Sequence, residues 1–113
     1  MHEMSLCENI RDILEGQAQT GGFTRVNKVW LEVGPLSCVE PEALRFGFDV
    51  VMRGSVAEGA TLDIATPRAM AQCPACHRIA EVKQRFEACP DCGSPALQVT
   101  RGDEFRIIKL EVV

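Results

Sequence analysis

The sequence lacks the long apolar runs that mark a membrane protein or a secreted one. No stretch approaches the roughly 20 apolar residues of a membrane-spanning helix. The first 15 positions hold charged and polar residues where a secretory signal would need an unbroken apolar run. We therefore expect a protein that has no membrane contact and that works in the cytoplasm, where cysteine thiols stay reduced.

Positive charge is also in short supply, because 12 lysines and arginines face 16 aspartates and glutamates and leave a net charge of −4. Proteins that bind DNA or RNA usually present a basic face, so we expect no nucleic-acid partner. The sequence shows no nucleophile–base pair, phosphate-binding loop or paired carboxylates of the kind that catalytic sites require. We therefore predict that the protein is not an enzyme.

Cysteine, by contrast, is present in an informative pattern. Four of the six cysteines form two pairs, Cys73-Pro-Ala-Cys76 and Cys89-Pro-Asp-Cys92, with 12 residues between the pairs. A two-residue gap lets both thiolates of a pair reach one ion, and two such turns can enclose a tetrahedral Zn²⁺. Disulfides do not suit a reducing compartment, and a redox Cys-x-x-Cys does not need a second matched pair. A four-thiolate site also accepts iron, so the spacing alone leaves zinc and iron both open.

Periodicity in the rest of the chain predicts two helices and three main strands. The predicted elements are a helix from about Leu6 to Thr20 that follows a capping box at Ser5 and ends at Gly21-Gly22, a strand Val26–Val33, a helix from Glu40-Pro41 to Gly54, a strand Ala60–Thr66 and a strand Phe105–Val113. A further segment, Ala96 to Thr100, is expected to pair within the cysteine-containing region.

Apolar side chains on these elements are expected to face a common core. The expected core-facing residues include Ile13 in the first helix, Phe46 and Val50 in the second, and Ile108, Leu110 and Val112 in the last strand. Cys7 and Cys38, which lie outside the two pairs, are expected to be small buried hydrophobic residues.

The element order predicts an α+β fold in which a small three-stranded sheet is covered by two helices. A zinc-ribbon-like module with four cysteines would be inserted before the last strand. The corresponding boundaries are 1–68 and 102–113 for the α+β domain and 69–101 for the module. A segment of about 30 residues is too small to bury an adequate core, so a metal must supply its folding free energy.

The start of the chain, Met1-His2-Glu3, offers a second set of metal donors. The terminal amine, a deprotonated backbone amide and the imidazole of His2 can chelate one ion, and Glu3 can add an amide or a carboxylate. Nitrogen donors in a plane suit Ni²⁺ or Cu²⁺. A frayed terminus usually has no function, so the motif by itself leaves both interpretations open.

Taken together, the chain resembles the HypA/HybF family of nickel metallochaperones over its whole length. The matching motifs are Met1-His2-Glu3-Met4-Ser5-Leu6, Glu40-Pro41-Glu42-x-Leu44-x-Phe46, Cys73-x-x-Cys76, Cys89-Pro-x-Cys92-Gly93-Ser94, Gly102-x-Glu104 and Ile108-Lys109-x-Glu111-Val112. The zinc spacing is shared with many zinc ribbons, but its conjunction with the Met-His-Glu start is specific.

The resemblance implies two metal sites. Nickel would be held at the N-terminus by Met1, His2 and Glu3, with Glu40 matching an acidic residue that is a further ligand in some members. Zinc would be held by Cys73, Cys76, Cys89 and Cys92. Some members carry a histidine after each cysteine pair and exchange zinc ligands with pH. Here His77 follows the first pair but Gly93 follows the second, so we do not expect that exchange.

The resemblance also implies that the protein works with a GTPase accessory protein and passes nickel to the large subunit of a nickel–iron hydrogenase. Two alternatives stay open from the residues alone. One is a zinc-ribbon adaptor that binds a protein or nucleic acid without nickel, and the other is an electron carrier with iron between the four cysteines. A monomer and a homodimer, including one formed by strand exchange, are both compatible with the sequence.

Overall fold

The computed structural model describes residues 3–95 and 97–113, and in this part of the chain it contains two helices and six strands. In chain order these are α1 (Glu3–Gly21), β1 (Val26–Val33), α2 (Pro41–Val51), β2 (Thr61–Ala65), β3 (Ala69–Gln72), β4 (Ile79–Val82), β5 (Gln98–Arg101) and β6 (Phe105–Val112). Neither helix is long and apolar enough to cross a membrane.

The strands form two separate three-stranded sheets. The first has the order β2-β1-β6, in which β1 pairs parallel with β2 and antiparallel with β6. The two strands that flank the cysteine-containing region therefore share one sheet, as predicted, but β1 lies between them. The second sheet has the order β4-β3-β5, and its strands surround the cysteine pairs in sequence. The predicted α+β class is confirmed.

Both helices pack against the first sheet as a parallel pair. Cys7 lies against the Leu44 carbonyl, Arg11 donates to the Val51 carbonyl at 2.8 Å, and the Glu15 carboxylate accepts from the Val56 backbone N–H. Successive turns of α1 therefore meet successive turns of α2 and the residues after it, so the two helices run in the same direction. As a consequence, the N-terminal ends of both helices lie at the same end of the helix pair.

The helix boundaries and two of the expected core residues differ from the sequence prediction. Helix α1 begins at Glu3, so Ser5 lies inside the helix and does not cap it. Helix α2 ends at Val51, before Gly54. Ile13 is 47% exposed and Phe46 is 72% exposed. Phe46 is two residues from both Leu44 and Phe48, which are buried, and two residues turn a helix by about 200°, so Phe46 faces away from the core.

The last strand contains a β-bulge that changes which side chains face the core. Leu31 lies opposite Ile107 and Trp30 lies opposite Lys109, which leaves Ile108 as an extra residue in β6. Ile107 packs against the core together with Phe105 and Leu110. The prediction was right for Leu110 but wrong for Ile108 and Val112, which are 51% and 41% exposed.

The second sheet was largely missed by the sequence analysis. Strands β3 and β4 are four residues each, and their small core consists of buried Ala69, Ala71 and Val82 with Leu36, which comes from the loop after β1. Strand β5 overlaps the segment that was expected to pair here, although Ala96, its first predicted residue, lies outside the described residues.

A close contact between two glycines joins the two sheets. A Cβ atom at Gly34 would lie 2.1 Å from the carbonyl oxygen of Gly102, and a Cβ atom at Gly102 would lie 2.4 Å from the Cβ atom of Ala69. The same carbonyl of Gly102 accepts a 2.7 Å hydrogen bond from the Leu36 backbone N–H. A side chain at Gly34 would therefore separate the end of β1 from the turn between β5 and β6, and one at Gly102 would separate that turn from β3.

We expect Gly102→Ala to lower the free energy of unfolding of the protein by about 2 kcal/mol or more. Gly102 has a φ of +120°, so the substitution adds backbone strain to the steric clash with Ala69. Urea unfolding followed by far-UV circular dichroism would measure the change.

Gly22→Ala is the matched control, because Gly22 also has a positive φ of +73° but has no atom within 4 Å of the added Cβ. It should cost only the conformational strain of about 1 kcal/mol. Equal destabilisation by the two substitutions would show that the close contact between Gly102 and Ala69 contributes nothing to the free energy of unfolding.

Candidate metal centre

The first cysteine pair lies in a tight turn between β3 and β4. The His77 backbone N–H donates to the Cys73 carbonyl at 2.8 Å, and the Cys73 N–H donates to the Arg78 carbonyl at 2.9 Å. His77 has a φ of +63°, a left-handed conformation that is uncommon for residues other than glycine. The turn directs the backbone N–H groups after Cys73 toward its sulfur.

The second cysteine pair repeats this geometry residue for residue. The Gly93 N–H donates to the Cys89 carbonyl at 2.8 Å, and the Cys89 N–H donates to the Ser94 carbonyl at 2.8 Å. Gly93, four residues after Cys89, has a φ of +77°, as His77 has four residues after Cys73. The two turns are therefore equivalent knuckles, and His77 occupies the position that glycine fills in the second one.

The four sulfur atoms of the two knuckles come together in one cluster. Cys73 Sγ lies 3.5 Å from Cys92 Sγ, Cys76 Sγ lies 3.7 Å from Cys89 Sγ, and all four atoms lie within 4.8 Å of one another. A tetrahedral ion with Zn–S bonds of about 2.3 Å separates its sulfurs by about 3.8 Å. The donor set, its number and its spacing all fit a four-thiolate metal site.

Ionisation of the four thiols is strongly coupled. Backbone N–H groups of Cys76 and Ala75 lower the pKa of Cys73 to about 6. The pKa of Cys92 is raised to about 12: the backbone at Ser94 acts to lower it, but neighbouring sulfurs, Cys73 first among them, and burial outweigh that effect. The pKa of Cys89 is also lowered, chiefly by the backbone N–H groups of Cys92 and Asp91, whereas that of Cys76 is raised. A cation between the four sulfurs would favour the thiolate form of each of them.

His77 is exposed and its backbone, not its imidazole, closes the first knuckle. The sequence analysis singled it out as a histidine that follows a cysteine pair. The structure shows a further feature of this position, namely that the knuckle requires a positive φ there. The sequence feature that could have indicated this positive φ is Gly93, the equivalent residue after the second pair, since glycine is the usual residue in that conformation.

The two cysteines outside the pairs have different environments. Cys7 is fully buried, and desolvation raises its pKa to about 11, with smaller contributions from the Glu3 and Glu8 carboxylates. It therefore stays a neutral thiol that packs as a small hydrophobic residue, as predicted. Cys38 is exposed and has a φ of +64°, so the prediction that it is buried was wrong.

Of the predicted nickel ligands, Glu3 and Glu40 lie at the N-terminal ends of the two helices. Met1 and His2 lie outside the described residues, and Glu3 is the half-buried first residue of α1. Glu40 is the N-cap of α2, and its carboxylate accepts a 3.0 Å hydrogen bond from the Glu42 backbone N–H. Among the described residues, the four cysteines are the one group of three or more metal-ligating side chains within reach of one another.

Comparison with known proteins gives consistent matches over the whole chain. The family model described as "Hydrogenase/urease nickel incorporation, metallochaperone, hypA" matches residues 1–112. Two relatives named hydrogenase maturation factor HypA also match. The protein from Acidithiobacillus ferrooxidans is 56% identical to this chain and that from Azotobacter vinelandii is 52% identical, each over 112 residues and 99% of both chains.

Solved structures share the fold. The solution structure of the Ni metallochaperone HypA from Helicobacter pylori aligns with 100% of this chain and 98% of its own, with a TM-score of 0.72 and 22% identity. A second solution structure, of a HypA protein, aligns with 100% of this chain and 97% of its own, with a TM-score of 0.74 and 23% identity.

We expect Cys73→Ala to abolish stoichiometric zinc binding and to unfold the second sheet, because metal binding supplies the folding free energy that its small core lacks. The helices pack on the first sheet and should keep most of their far-UV circular dichroism. Zinc content by atomic emission and helix signal measured on one sample would test both parts.

Cys38→Ala is the matched control for this substitution. It removes an exposed thiol that lies outside the sulfur cluster, so the variant should retain one zinc ion per chain. Complete loss of helix signal in Cys73→Ala would contradict an independently packed first sheet.

Proposed function

Because this chain belongs to the HypA family of hydrogenase/urease nickel-incorporation metallochaperones, we propose that it binds Ni²⁺ at its N-terminus and delivers the ion to the large subunit of a nickel–iron hydrogenase. The observation that carries the proposal is the match of the family model to residues 1–112, which includes the Met1-His2-Glu3 motif. Curated relatives named as hydrogenase maturation factors favour a hydrogenase as the acceptor.

The proposed nickel ligands are the Met1 amine, the His2 imidazole, the intervening backbone amides and Glu3, with Glu40 as a further acidic residue. The parallel arrangement of the helices supports a role for the two carboxylates. Each helix N-terminus carries a partial positive charge of about half an elementary charge, so two aligned N-termini disfavour a nearby cation. Glu3 opens α1 and Glu40 caps α2, and their negative charges offset this repulsion.

The four-cysteine cluster is proposed to hold a structural zinc ion. The knuckle geometry, the sulfur–sulfur distances of 3.5 and 3.7 Å and the absence of any open coordination position in a four-thiolate set support this role. We further propose that residues 1–68 and 102–113 form the nickel-binding domain and that residues 69–101 form the zinc-binding module.

The proposed partners are a GTPase accessory protein and the hydrogenase large subunit, in the cytoplasm. The nickel ion is cargo and no covalent chemistry is required of the protein, so it is proposed to act as a carrier and not as an enzyme. Nickel titration of the untagged protein separates this function from that of a zinc-ribbon adaptor, which would take up zinc alone.

A Gly-Ser extension before Met1 is expected to lower the affinity for Ni²⁺ by more than the roughly 10–100-fold that loss of a supporting residue costs a metal site. The extension converts the terminal amine into an amide and displaces the chelate ring. His2→Ala should have the same effect, and both variants should keep their zinc. Isothermal titration calorimetry with Ni²⁺ would measure the affinities.

The matched control carries the same Gly-Ser dipeptide after Val113, where the N-terminal amine stays free. This protein should bind Ni²⁺ as the native one does. If the N-terminally extended protein also bound nickel at native affinity, the terminal amine could not be a ligand.

Nickel affinity is expected to fall as the pH decreases from about 8 to about 6. The terminal amine has an ordinary pKa of about 7.7–8.0 and histidine one of about 6.5. Protons therefore compete with Ni²⁺ for both donors as the pH falls through these values, and metal binding must displace them. Competition titrations with a chelator of known pH dependence would check this, and a constant affinity across the interval would contradict the amine–imidazole ligand set.

A further inference from the structure

Two short connections join the zinc-binding module to the rest of the chain. Residues 66–68 connect β2 with β3, and residues 102–104 connect β5 with β6. In the described part of the chain, no strand of one sheet packs extensively against a strand of the other, and the two sheets have separate apolar cores. The orientation of the module is therefore set by these connections and by the side chains that reach across the boundary.

One apolar side chain, that of Leu36, reaches from the first sheet into the core of the second. Among the described residues of that core, Leu36 is the one that lies outside residues 69–101, and it is 6% exposed. It is carried by a tight turn in which the Gly34 carbonyl accepts hydrogen bonds from the Ser37 backbone N–H at 3.1 Å and from the Ser37 hydroxyl at 2.7 Å. Pro35 occupies the second position, which suits its fixed φ. The turn directly follows β1, so it projects Leu36 toward the module.

Two ion pairs also cross the boundary, but they are weaker contacts than the burial of a leucine. The Arg101 guanidinium lies 4.0 Å from the Glu32 carboxylate, and the Arg85 guanidinium lies 3.5 Å from that of Asp103. Both arginine side chains are about half exposed, and ion pairs with such exposure contribute little to stability. Removal of a leucine side chain from water is strongly favourable, so Leu36 dominates the side-chain contacts across the boundary.

The loop that carries Leu36 is under conformational strain. Cys38, two residues further on, has a φ of +64°, which is uncommon for a residue other than glycine, asparagine or aspartate. Its side chain is exposed, so packing of the thiol does not compensate for the unfavourable backbone. A residue stays in such a conformation only when the surrounding structure holds it there. The inserted position of Leu36 is therefore maintained against strain in its own loop.

We propose that Leu36 is a removable plug that holds the zinc-binding module in one orientation, and that its withdrawal lets the module turn as a folded unit about residues 66–68 and 102–104. A metal ion between the four cysteines supplies the folding free energy of the module, so the module stays folded without Leu36. The strain at Cys38 favours withdrawal, and the burial of one side chain opposes it. The inference rests on the proposed function only for the zinc ion that keeps the module folded.

The decisive variant is Leu36→Ala in the zinc-loaded protein, examined by residual dipolar couplings and ¹⁵N relaxation of the backbone amides. In the native protein, one alignment tensor should fit the amides of both sheets and both helices. In the variant, the amides of β3, β4 and β5 should require a separate and smaller tensor and should show a shorter rotational correlation time than the helices. The variant should keep one zinc ion per chain. Leu36→Met retains an apolar side chain of similar size and should retain the common tensor.

Leu62→Ala is the matched control, because it makes the same substitution at a leucine of equal burial in the other core. Leu62 is 7% exposed and packs in the core of the first sheet. Its loss should make the protein less resistant to urea, since it leaves a cavity in that core. It should nevertheless leave a single alignment tensor, because Leu62 does not reach across the boundary between the sheets.

A single tensor in zinc-loaded Leu36→Ala would overturn the plug, as would separate tensors in the native protein or in Leu62→Ala. Loss of zinc together with unfolding of the module in Leu36→Ala would also overturn it, because Leu36 would then be required for the fold of the module. Nickel titration separates these failures from that of the proposed function: native protein that bound no Ni²⁺ would contradict the carrier role and would leave the plug intact.

Discussion

The second sheet depends on one constraint, namely that the four cysteine sulfur atoms lie within 4.8 Å of one another. Backbone N–H groups lower the pKa of Cys73, whereas neighbouring sulfurs and burial raise that of Cys92, because thiolates this close together repel one another. A divalent cation removes that conflict and converts mutual repulsion into attraction toward a common centre. The second sheet has little else to hold it, because two of the four buried residues in its core are alanines.

The loop after β1 is one of the segments that contact the second sheet. The loop after β1 places Leu36 in the core of the second sheet, and four residues later Glu40 caps α2. The same loop accommodates the contact of Gly34 with Gly102, which no side chain would permit. The residue that packs in the second sheet and the residue that caps α2 are therefore close together in the chain. A movement of the second sheet is constrained by the position of α2, and the reverse also holds.

Local chemistry is what the sequence conveys most directly. The cysteine spacing indicates two equivalent knuckles, Glu40-Pro41 marks the start of α2, and alternation along β1 identifies Val29, Leu31 and Val33 as core residues, all of which are buried. These features depend on residues close together in the chain. The proposed ligands at Met1, His2 and Glu3 stay predictions, because their interpretation depends on the motif and on the family.

Features that tertiary packing determines were harder to predict from the sequence. Ile107 and Ile108 are equivalent as an apolar pair, and only the pairing with β1 decides which of them faces the core. Strands β3 and β4 are too short and too rich in alanine for a clear alternation. Ile13 shows the same limit for helices, since an apolar residue at the margin of a helical face is buried only where a neighbouring element covers it.

The bulge at Ile108 has a consequence for the behaviour of the protein at high concentration. Strand β6 is the outer strand of its sheet, and an unpaired outer strand can recruit further strands and start fibrous aggregation. An extra residue in the middle of β6 interrupts the regular ladder and increases its local twist, so an incoming strand cannot continue the pairing along its full length. The irregularity that turns Ile108 away from the core therefore also makes this edge less suitable for the addition of another strand.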